Sequence, residues 1–376
     1  MRIMIVTEVF LPATDGLVLR LTEAIRYFQK NGHQVVVVTP YKGIDSFEGA
    51  KVYGISNKKF PIGKELFWRP SLKKIYELME SFEPQVVHIA NPVIMGKFAF
   101  QYAHSLGIPV VVSYHTNYER CLKKYRLDRP MAKKWVWKMR REISSAAALN
   151  LCTSYAMAQS LKSYGINNVH VLNRGVDLDK RHPRFASEDM RMILSRGKTD
   201  KKLLVFVGSL LKRKNLEALL PMMRRRDDVC LAIVGDGEYR QVLEQAFSGT
   251  DTVFTGYLTG KNLSEAYASG DAFIFPTVDE QVGLPLLEAM ASGVPILAAR
   301  SPLTIEQFCD GCDALFFNIG DEDALDEVIG CLDDKETMKK MALIARHEAE
   351  SNSWEGASQQ LLDYYSIAFT RASHYN

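Results

Sequence analysis

Phe273-Ile-Phe-Pro276, followed closely by Glu280-Gln-Val-Gly-Leu-Pro-Leu-Leu-Glu288, decides how this chain folds. The apolar run reads as a short buried strand. Gly283 and Pro285 break the chain, and Leu286 to Met290 reads as a helix. A strand, a loop and a helix in that order put Glu280 at the C-terminal end of a strand, where open α/β sheets bind ligands. Glu288 then falls in the first turns of the helix, near the dipole end that attracts phosphate. Two readings stand on spacing alone. Either both carboxylates belong to one site, Glu288 accepting hydrogen bonds from a ribose, or Glu280 is a site residue and Glu288 an ordinary helix glutamate.

The same strand-and-helix pattern runs outward in both directions. Upstream, Lys202-Leu-Leu-Val-Phe-Val207, Val229-Cys-Leu-Ala-Ile-Val234 and Thr252-Val-Phe-Thr255 read as strands, and downstream so does Pro295-Ile-Leu-Ala298. The first half opens with Arg2-Ile-Met-Ile-Val-Thr7, a loop at Gly16 and a helix from Leu19 to Asn31 that Gly32 stops. Gln34-Val-Val-Val-Val-Thr39, Gln85-Val-Val-His-Ile-Ala90, Pro109-Val-Val-Val-Ser-Tyr114, Ala148-Leu-Asn-Leu-Cys-Thr153 and Asn168-Val-His-Val-Leu172 continue as strands. Near-continuous apolar strands alternating with helices argue parallel sheets covered on both faces. The polar stretch from Asp177 to Asp189, with Pro183, reads as the linker. The expectation is therefore α/β, with two doubly wound Rossmann-like domains, 1–183 and 184–354, facing each other across a cleft. A C-terminal helix of about residues 355–376 is expected to pack back on the first domain.

A chain of 376 residues is long for one hydrophobic core, which agrees with two domains. No apolar run reaches the length of a membrane span, and Met-Arg-Ile-Met-Ile-Val turns polar too soon for a secretory signal. Six scattered cysteines fit a reducing compartment. Cys152 and Cys230 sit in strand-like runs as buried thiols. Cys309-Asp-Gly-Cys312 has redox or metal spacing, but no second Cys pair or nearby His completes a zinc site. A net charge of +3 argues against a nucleic-acid binder by charge alone. The distribution says more. Between Arg120 and Arg141 basic residues crowd against a single Asp128, interleaved with Tyr125, Trp135 and Trp137. Lys133, Lys134, Trp135 and Lys138, on a helix starting at Pro130, form a candidate contact with an anionic membrane. A solvated basic helix is the alternative.

Other segments place chemistry at sheet ends. Gly208-Ser-Leu-Leu-Lys-Arg-Lys214-Asn215 follows a strand and opens a helix, so Lys214 and that helix N-terminus can neutralise a diphosphate. The loop is not a Walker loop. Gly235-Asp-Gly237 is a tight turn that reads as structural. Asp177-Leu-Asp179 has the form of a metal ligand pair but sits in the linker beside Lys180 and Arg181. His115 ends a buried strand, and Gly16 lets backbone approach a phosphate closely.

These residues carry a resemblance. Thr7-Glu-Val-Phe-Leu-Pro-Ala-Thr-Asp-Gly16, Ser113-Tyr-His-Thr116, Arg174-Gly-Val-Asp177, Val234-Gly-Asp-Gly237, Phe254-Thr-Gly-Tyr-Leu258 and Glu280 to Glu288 resemble, over nearly the whole length, the retaining glycosyltransferases of the GT-B fold, family 4 type. Within them the chain is most similar to the glycolipid synthases that make sulfoquinovosyl diacylglycerol. The resemblance implies His115, Lys214 and Glu280 as catalytic residues. Glu280 would contact the donor sugar, Glu288 the ribose, Lys214 and Gly16 the diphosphate, and Leu258 and Leu284 the base and ribose. Ser209 and Gly283 complete the implied donor site. No metal and no cofactor are implied; the partners are a UDP-linked sugar and a lipid such as diacylglycerol, and the location is the cytoplasmic face of a membrane.

Two positions depart from the family pattern. Arginine usually stands where this chain has Ser209, and Lys212 or Arg213 would have to replace its charge. After Ala298 the usual glycine pair gives way to Arg300-Ser-Pro-Leu-Thr304. A sulfonated donor would need a cation near its sixth carbon, and Arg174, Lys97 and Arg300 are all open. A transferase using a soluble or polysaccharide acceptor is the main alternative and would work without lipid vesicles. A non-catalytic membrane- or nucleic-acid-binding protein would bind no nucleotide-sugar. A dinucleotide-dependent dehydrogenase would share the sheet architecture, but the chain lacks Gly-x-Gly-x-x-Gly after its first strand.

Overall fold

Arg2 is followed by four aliphatic residues that pack on alternate sides of one strand. In the computed structural model, which describes residues 1–13, 15–40, 43–62, 65–115, 130–280 and 282–373, that strand is β1 (Arg2–Thr7). Ile3 and Ile5 join the core on one face of the sheet, and Met4 and Val6 join the core on the other. Burial on both faces is why the strand reads as a continuous apolar run. The first sheet adds β2 (Gln34–Thr39), β3 (Ser46–Phe47), β4 (Ala50–Gly54), β7 (Val86–Ala90), β8 (Val110–Tyr114), β9 (Leu149–Cys152) and β10 (Val169–Val171). A separate antiparallel hairpin, β5 (Ser56–Ile62) with β6 (Glu65–Pro70), lies between β4 and β7 in the chain. The sheet order is β10-β9-β8-β7-β1-β2-β4-β3, parallel throughout except at β3. Because β1 pairs with both β2 and β7, the order reverses there.

The second sheet repeats the plan with β11 (Lys202–Val207), β12 (Val229–Val234), β13 (Thr252–Gly256), β14 (Ala272–Phe275), β15 (Ile296–Ala299) and β16 (Leu315–Phe317). Its order is β13-β12-β11-β14-β15-β16, all parallel, with the reversal between β11 and β14. A reversal leaves a crevice beyond the carboxyl ends of the two strands it separates, and ligands bind there. In the second unit that position belongs to the loops after Val207 and after Phe275. In the first it belongs to the loops after Thr7 and after Ala90.

The two units divide after Arg174, not after Pro183 as the composition suggests, and the helix Trp354–Ser373 groups with the first unit. The polar stretch is no free linker. Val176 bridges to Ser353, and its N–H donates to the carbonyl of Asn352 at 2.9 Å. Pro183 lies so close beneath Gly293 that a Cβ there would sit 2.5 Å from its ring. The last helix buries Leu361, Leu362, Tyr365 and Ala368 against the β1 face that carries Ile3 and Ile5.

The helix expected from Asn215 is also corrected. Lys212–Lys214 forms one 3₁₀ turn, Asn215 is left-handed at φ 59°, and a second 3₁₀ turn runs Leu216–Leu219. The α-helix begins at Leu220. Pro221 explains the delay: it has no N–H to give to a preceding turn and its ring clashes with the carbonyl four residues back, so it is tolerated only at a helix start.

Candidate functional site

In the second unit the loop after β11 is stitched to the loop after β14. Asn215 Nδ2 donates to the carbonyl of Pro276 at 3.4 Å, and the Thr277 hydroxyl donates to the carbonyl of Lys214 at 3.3 Å. These bonds hold the Lys214 ammonium 2.6 Å from Glu280 Oε2. Lys214 is only 5% exposed, so this is a buried ion pair in a low-dielectric setting. Arg213 Nη1 stands 3.9 Å from the same carboxylate oxygen. Lys212 is exposed. Of the two residues that could replace the missing arginine at Ser209, only Arg213 is therefore drawn to the carboxylate. Ser209 itself is half-buried.

Glu288 has two partners that sequence reasoning missed. Arg181 Nε donates to its Oε1 at 3.0 Å, and the Tyr267 hydroxyl donates to its Oε2 at 2.8 Å. Arg181 also lies over the Tyr267 ring and donates to Ser264 Oγ at 3.1 Å. Burial, with the Glu288 carboxylate beside it, holds the Tyr267 hydroxyl well above its usual range. Arg181 Nη2 also lies 2.9 Å from Oε1, so Oε2 is the oxygen that keeps a second lone pair for a ligand hydroxyl. Gly283 caps the helix Leu284–Ala291 with φ 67°, a left-handed conformation that suits glycine, and places Glu288 in its second turn. Leu284 is half-buried at the helix start, and Leu258 packs on the cluster around Leu203 and Val205.

Gly235-Asp-Gly237 has a packing role. A Cβ at Gly235 would lie 2.0 Å from the Gly208 carbonyl, and one at Gly237 would lie 2.3 Å from that of Leu210. The turn is pressed against the base of the Lys214 loop, and glycine is what lets it close. Asp177 accepts from the Lys180 backbone at 3.0 Å and from its ammonium at 2.6 Å, which makes it a turn residue. Among the described residues no group of three or more His, Cys, Asp or Glu side chains could hold a metal ion. Cys152 and Cys230 are buried, and Cys309 and Cys312 are exposed with their sulfurs 2.9 Å apart.

The first unit builds a different cluster. His115 follows β8, and its N–H donates to Asn91 Oδ1 at 2.8 Å. Its Nε2 lies 2.7 Å from Ser113 Oγ, which lies 2.8 Å from His88 Nε2. His88 Nδ1 lies 2.6 Å from the buried Tyr365 hydroxyl. The tyrosine proton has one use here, donation to His88 Nδ1. His88 Nε2–H then donates to Ser113, and Ser113 Oγ shares the next bond with His115 Nε2. Burial pushes His88 down to about 3 and His115 well below its usual value, and the charge of Arg20 lowers both further. Both rings are neutral near pH 7, so His115 can offer a ligand a hydrogen bond but no charge. Glu8, on the loop after β1, accepts from the Met95 N–H at 3.0 Å, and burial raises its carboxyl to about 7. Gly16 is the first residue of the helix Gly16–Lys30, three residues earlier than its apolar pattern suggests. Asp15 caps that helix end, accepting from the Val18 N–H at 2.9 Å.

The basic segment is described only from Pro130, where the helix Pro130–Ala146 begins. Residues 116–129, with Arg120 to Arg129, and the side chains of Lys133 and Trp135 lie outside the described residues. Lys134 and Lys138 are exposed, as is Met131 at 87%. Trp137 is buried and stacks on Tyr164 with ring centres 3.7 Å apart. Arg140, which the charge pattern counts with the surface, is fully buried.

Paired carboxylates and a basic loop at the reversal of a parallel sheet, in a chain of two such units, are what a GT-B glycosyltransferase carries. The chain belongs to glycosyltransferase family 4: residues 14–180 match the model of Glycosyltransferase Family 4, and residues 194–348 match that of Glycosyl transferases group 1. It is 36% identical over 362 residues to sulfoquinovosyl transferase SQD2 of Arabidopsis thaliana, covering 93% of this chain and 70% of that one. It is 30% identical over 382 residues to a GDP-mannose-dependent alpha-mannosyltransferase of Mycolicibacterium smegmatis, covering 99% of each. Among solved structures, Anabaena HepE in complex with UDP has the same fold, at a TM-score of 0.76 and 16% identity, covering 97% of this chain and all of that one.

Proposed function

We propose that this glycosyltransferase moves a sugar, with retention and without a metal ion, from a UDP-linked donor to diacylglycerol or a related lipid. The donor best supported is UDP-sulfoquinovose. The observation that carries the reading is the buried Lys214–Glu280 pair at 2.6 Å, with Arg213 beside it, at the reversal of the second sheet. Lys214 and Arg213 supply the positive charge that a departing diphosphate needs, in place of a metal ion. This replaces the expected helix N-terminus, because the backbone there is a 3₁₀ turn. Glu280 contacts the sugar hydroxyls. A carboxylate held by an ammonium is a weak nucleophile, which favours attack by the acceptor hydroxyl on the face the diphosphate leaves, with a phosphate oxygen taking the proton. Glu288, oriented by Arg181 and Tyr267, accepts the ribose hydroxyls. His115 hydrogen-bonds the sugar, and Gly16 contributes to the diphosphate.

The lipid acceptor rests on the 26% identity over 319 residues to an alpha-monoglucosyldiacylglycerol synthase of Streptococcus pneumoniae and on exposed Lys134, Lys138 and Met131. No helix among the described residues is long and apolar enough to cross a membrane, so attachment is peripheral in this reading. A purified assay with UDP-sulfoquinovose and diacylglycerol vesicles tests the whole, with the product anomer read by NMR. Activity is expected to survive EDTA and to fall with Lys214→Ala or Glu280→Ala. Unchanged turnover in both variants would refute the site. A second reading, a mannosyltransferase using GDP-mannose, is favoured by the mycobacterial relative that matches 99% of the chain. Thermal stabilisation by GDP-mannose and not by UDP-sugars would select it.

A further inference from the structure

Arg20 is out of place on its helix. It lies on the face of Gly16–Lys30 that buries Val18, Leu21, Ala24, Ile25 and Phe28, and only 4% of its surface is exposed. Its Nη2 is buried with no hydrogen-bond partner, and among the described residues no carboxylate forms an ion pair with it. Its guanidinium stands 6.0 Å from the centre of the Trp354 ring, a contact that leaves the in-plane N–H donors unused. The charged groups that act on it make matters worse. Burial, and after it the charge of Arg174, lowers Arg20 to about 10, and its other near neighbours, His88 and His115, are neutral. A guanidinium out of water without a counter-charge costs several kcal/mol in general, and chains keep such a group where something supplies the missing anion.

Arg300, one of the three cations considered for this role, and Arg181 are engaged elsewhere. Arg300 is 2.5 Å from Asp310 and lies over the Phe316 ring. Arg181 serves Glu288. Arg20 is buried and without an anion among the described residues, and it is close enough to His115, the residue proposed to meet the donor sugar, for its charge to act on that ring.

We propose that Arg20 is the receptor for a tetrahedral oxyanion carried by the substrate, specifically the sulfonate of the donor sugar, with Arg174 adding to the local positive field. A planar fork of N–H donors matches two sulfonate oxygens at once. The sulfonate completes the hydrogen bonds the folded chain leaves unmade, and a sugar with a plain hydroxyl there does not. Arg20 is thus a specificity residue, and the assignment rests on the UDP-sugar reading of the site.

Calorimetric titration of the full chain with UDP, UDP-glucose and UDP-sulfoquinovose tests this, comparing the native chain with Arg20→Gln and Arg20→Lys. Arg20→Gln is expected to weaken UDP-sulfoquinovose by roughly 10- to 100-fold, the range for a lost charged hydrogen bond. UDP and UDP-glucose are expected to stay within about twofold, and Arg20→Lys to recover part of the loss. Retained UDP binding also shows that each variant is folded. An equal loss for all three ligands places the charge on the diphosphate and overturns the assignment. So does unchanged binding of the sulfonated donor, or a loss seen only with vesicles containing phosphatidate, which moves the oxyanion to the acceptor. A native chain that binds none of the three nucleotides refutes the donor reading itself, a separate failure from a chain that binds UDP and gains nothing from the sulfonate.

Discussion

The two sheet ends solve one problem in opposite ways. At the second sheet every charge is answered: Lys214 by Glu280 at 2.6 Å, Glu288 by Arg181 at 3.0 Å. At the first, titratable groups are kept neutral by burial, as in the Tyr365–His88–Ser113–His115 chain, and the buried Arg20 has no counter-charge among the described residues. Paired charges are fixed in place before a ligand arrives. Neutralised groups are cheap to bury but make their unit sensitive to pH. In the proposed function the second end holds the diphosphate and the ribose, and the first sorts sugars by hydrogen bonds and by one demand for negative charge.

The sharpest way to break this contrast is to unpair the second end. Glu280→Ala leaves the Lys214 ammonium buried alone and is expected to cost roughly 3 kcal/mol in that unit's stability, read by denaturant unfolding. Donor turnover in Glu280→Ala and in Lys214→Ala is expected to fall about 100- to 1,000-fold. If Glu280→Ala is as stable as the native chain, the pair is not buried in solution and the contrast fails.

The first end should respond to acid. His88 is depressed to about 3 in the folded chain, so its contribution is present above its unfolded value near 6.5 and is lost as pH falls through that window toward 3. His115 acts in the same direction. Calorimetric unfolding from pH 7 to pH 4 is expected to lower the first unit's transition by on the order of 3 kcal/mol. His88→Gln should flatten that slope. A second-unit transition that falls just as steeply would contradict the comparison.

Glu8 works the other way. Its folded value is raised to about 7, so its contribution is present below the unfolded value near 4.5 and is lost as pH rises through 7. Glu8→Gln keeps an acceptor for the Met95 N–H and is expected to gain about 3 kcal/mol at pH 8 and almost nothing at pH 4. The smallest effect is expected of Tyr267→Phe, which removes one of two supports from Glu288. It is expected to weaken UDP about three- to tenfold, as the loss of one hydrogen bond does, with the first unit's pH response untouched.

Much of this site was legible because its parts are local. The strand at Phe273–Phe275, the break at Gly283 and the helix carrying Glu288 are written in adjacent residues, and the Lys214 loop directly follows its strand. Arg181 was not legible. It lies 107 residues from Glu288, in a polar stretch that composition reads as linker, and only folding brings it near. Tyr267 sits on a helix whose pattern shows which face is buried but not what its hydroxyl meets. Arg20 left a signal that went unused, a charged residue on the apolar stripe of a helix. The expected α-helix start near Asn215 is displaced because Pro221, six residues past it, overrides the apolar pattern before it.

The amino-acid sequence by itself determined the two α/β units, the order of their strands along the chain and the family to which it belongs, because periodicity and turn chemistry act over a few residues. Tertiary structure decided where the units divide, which cation meets which carboxylate, and which buried groups are charged. Those outcomes depend on distances between residues far apart in the chain and on exclusion of water, and neither exists until the sheets have formed and packed.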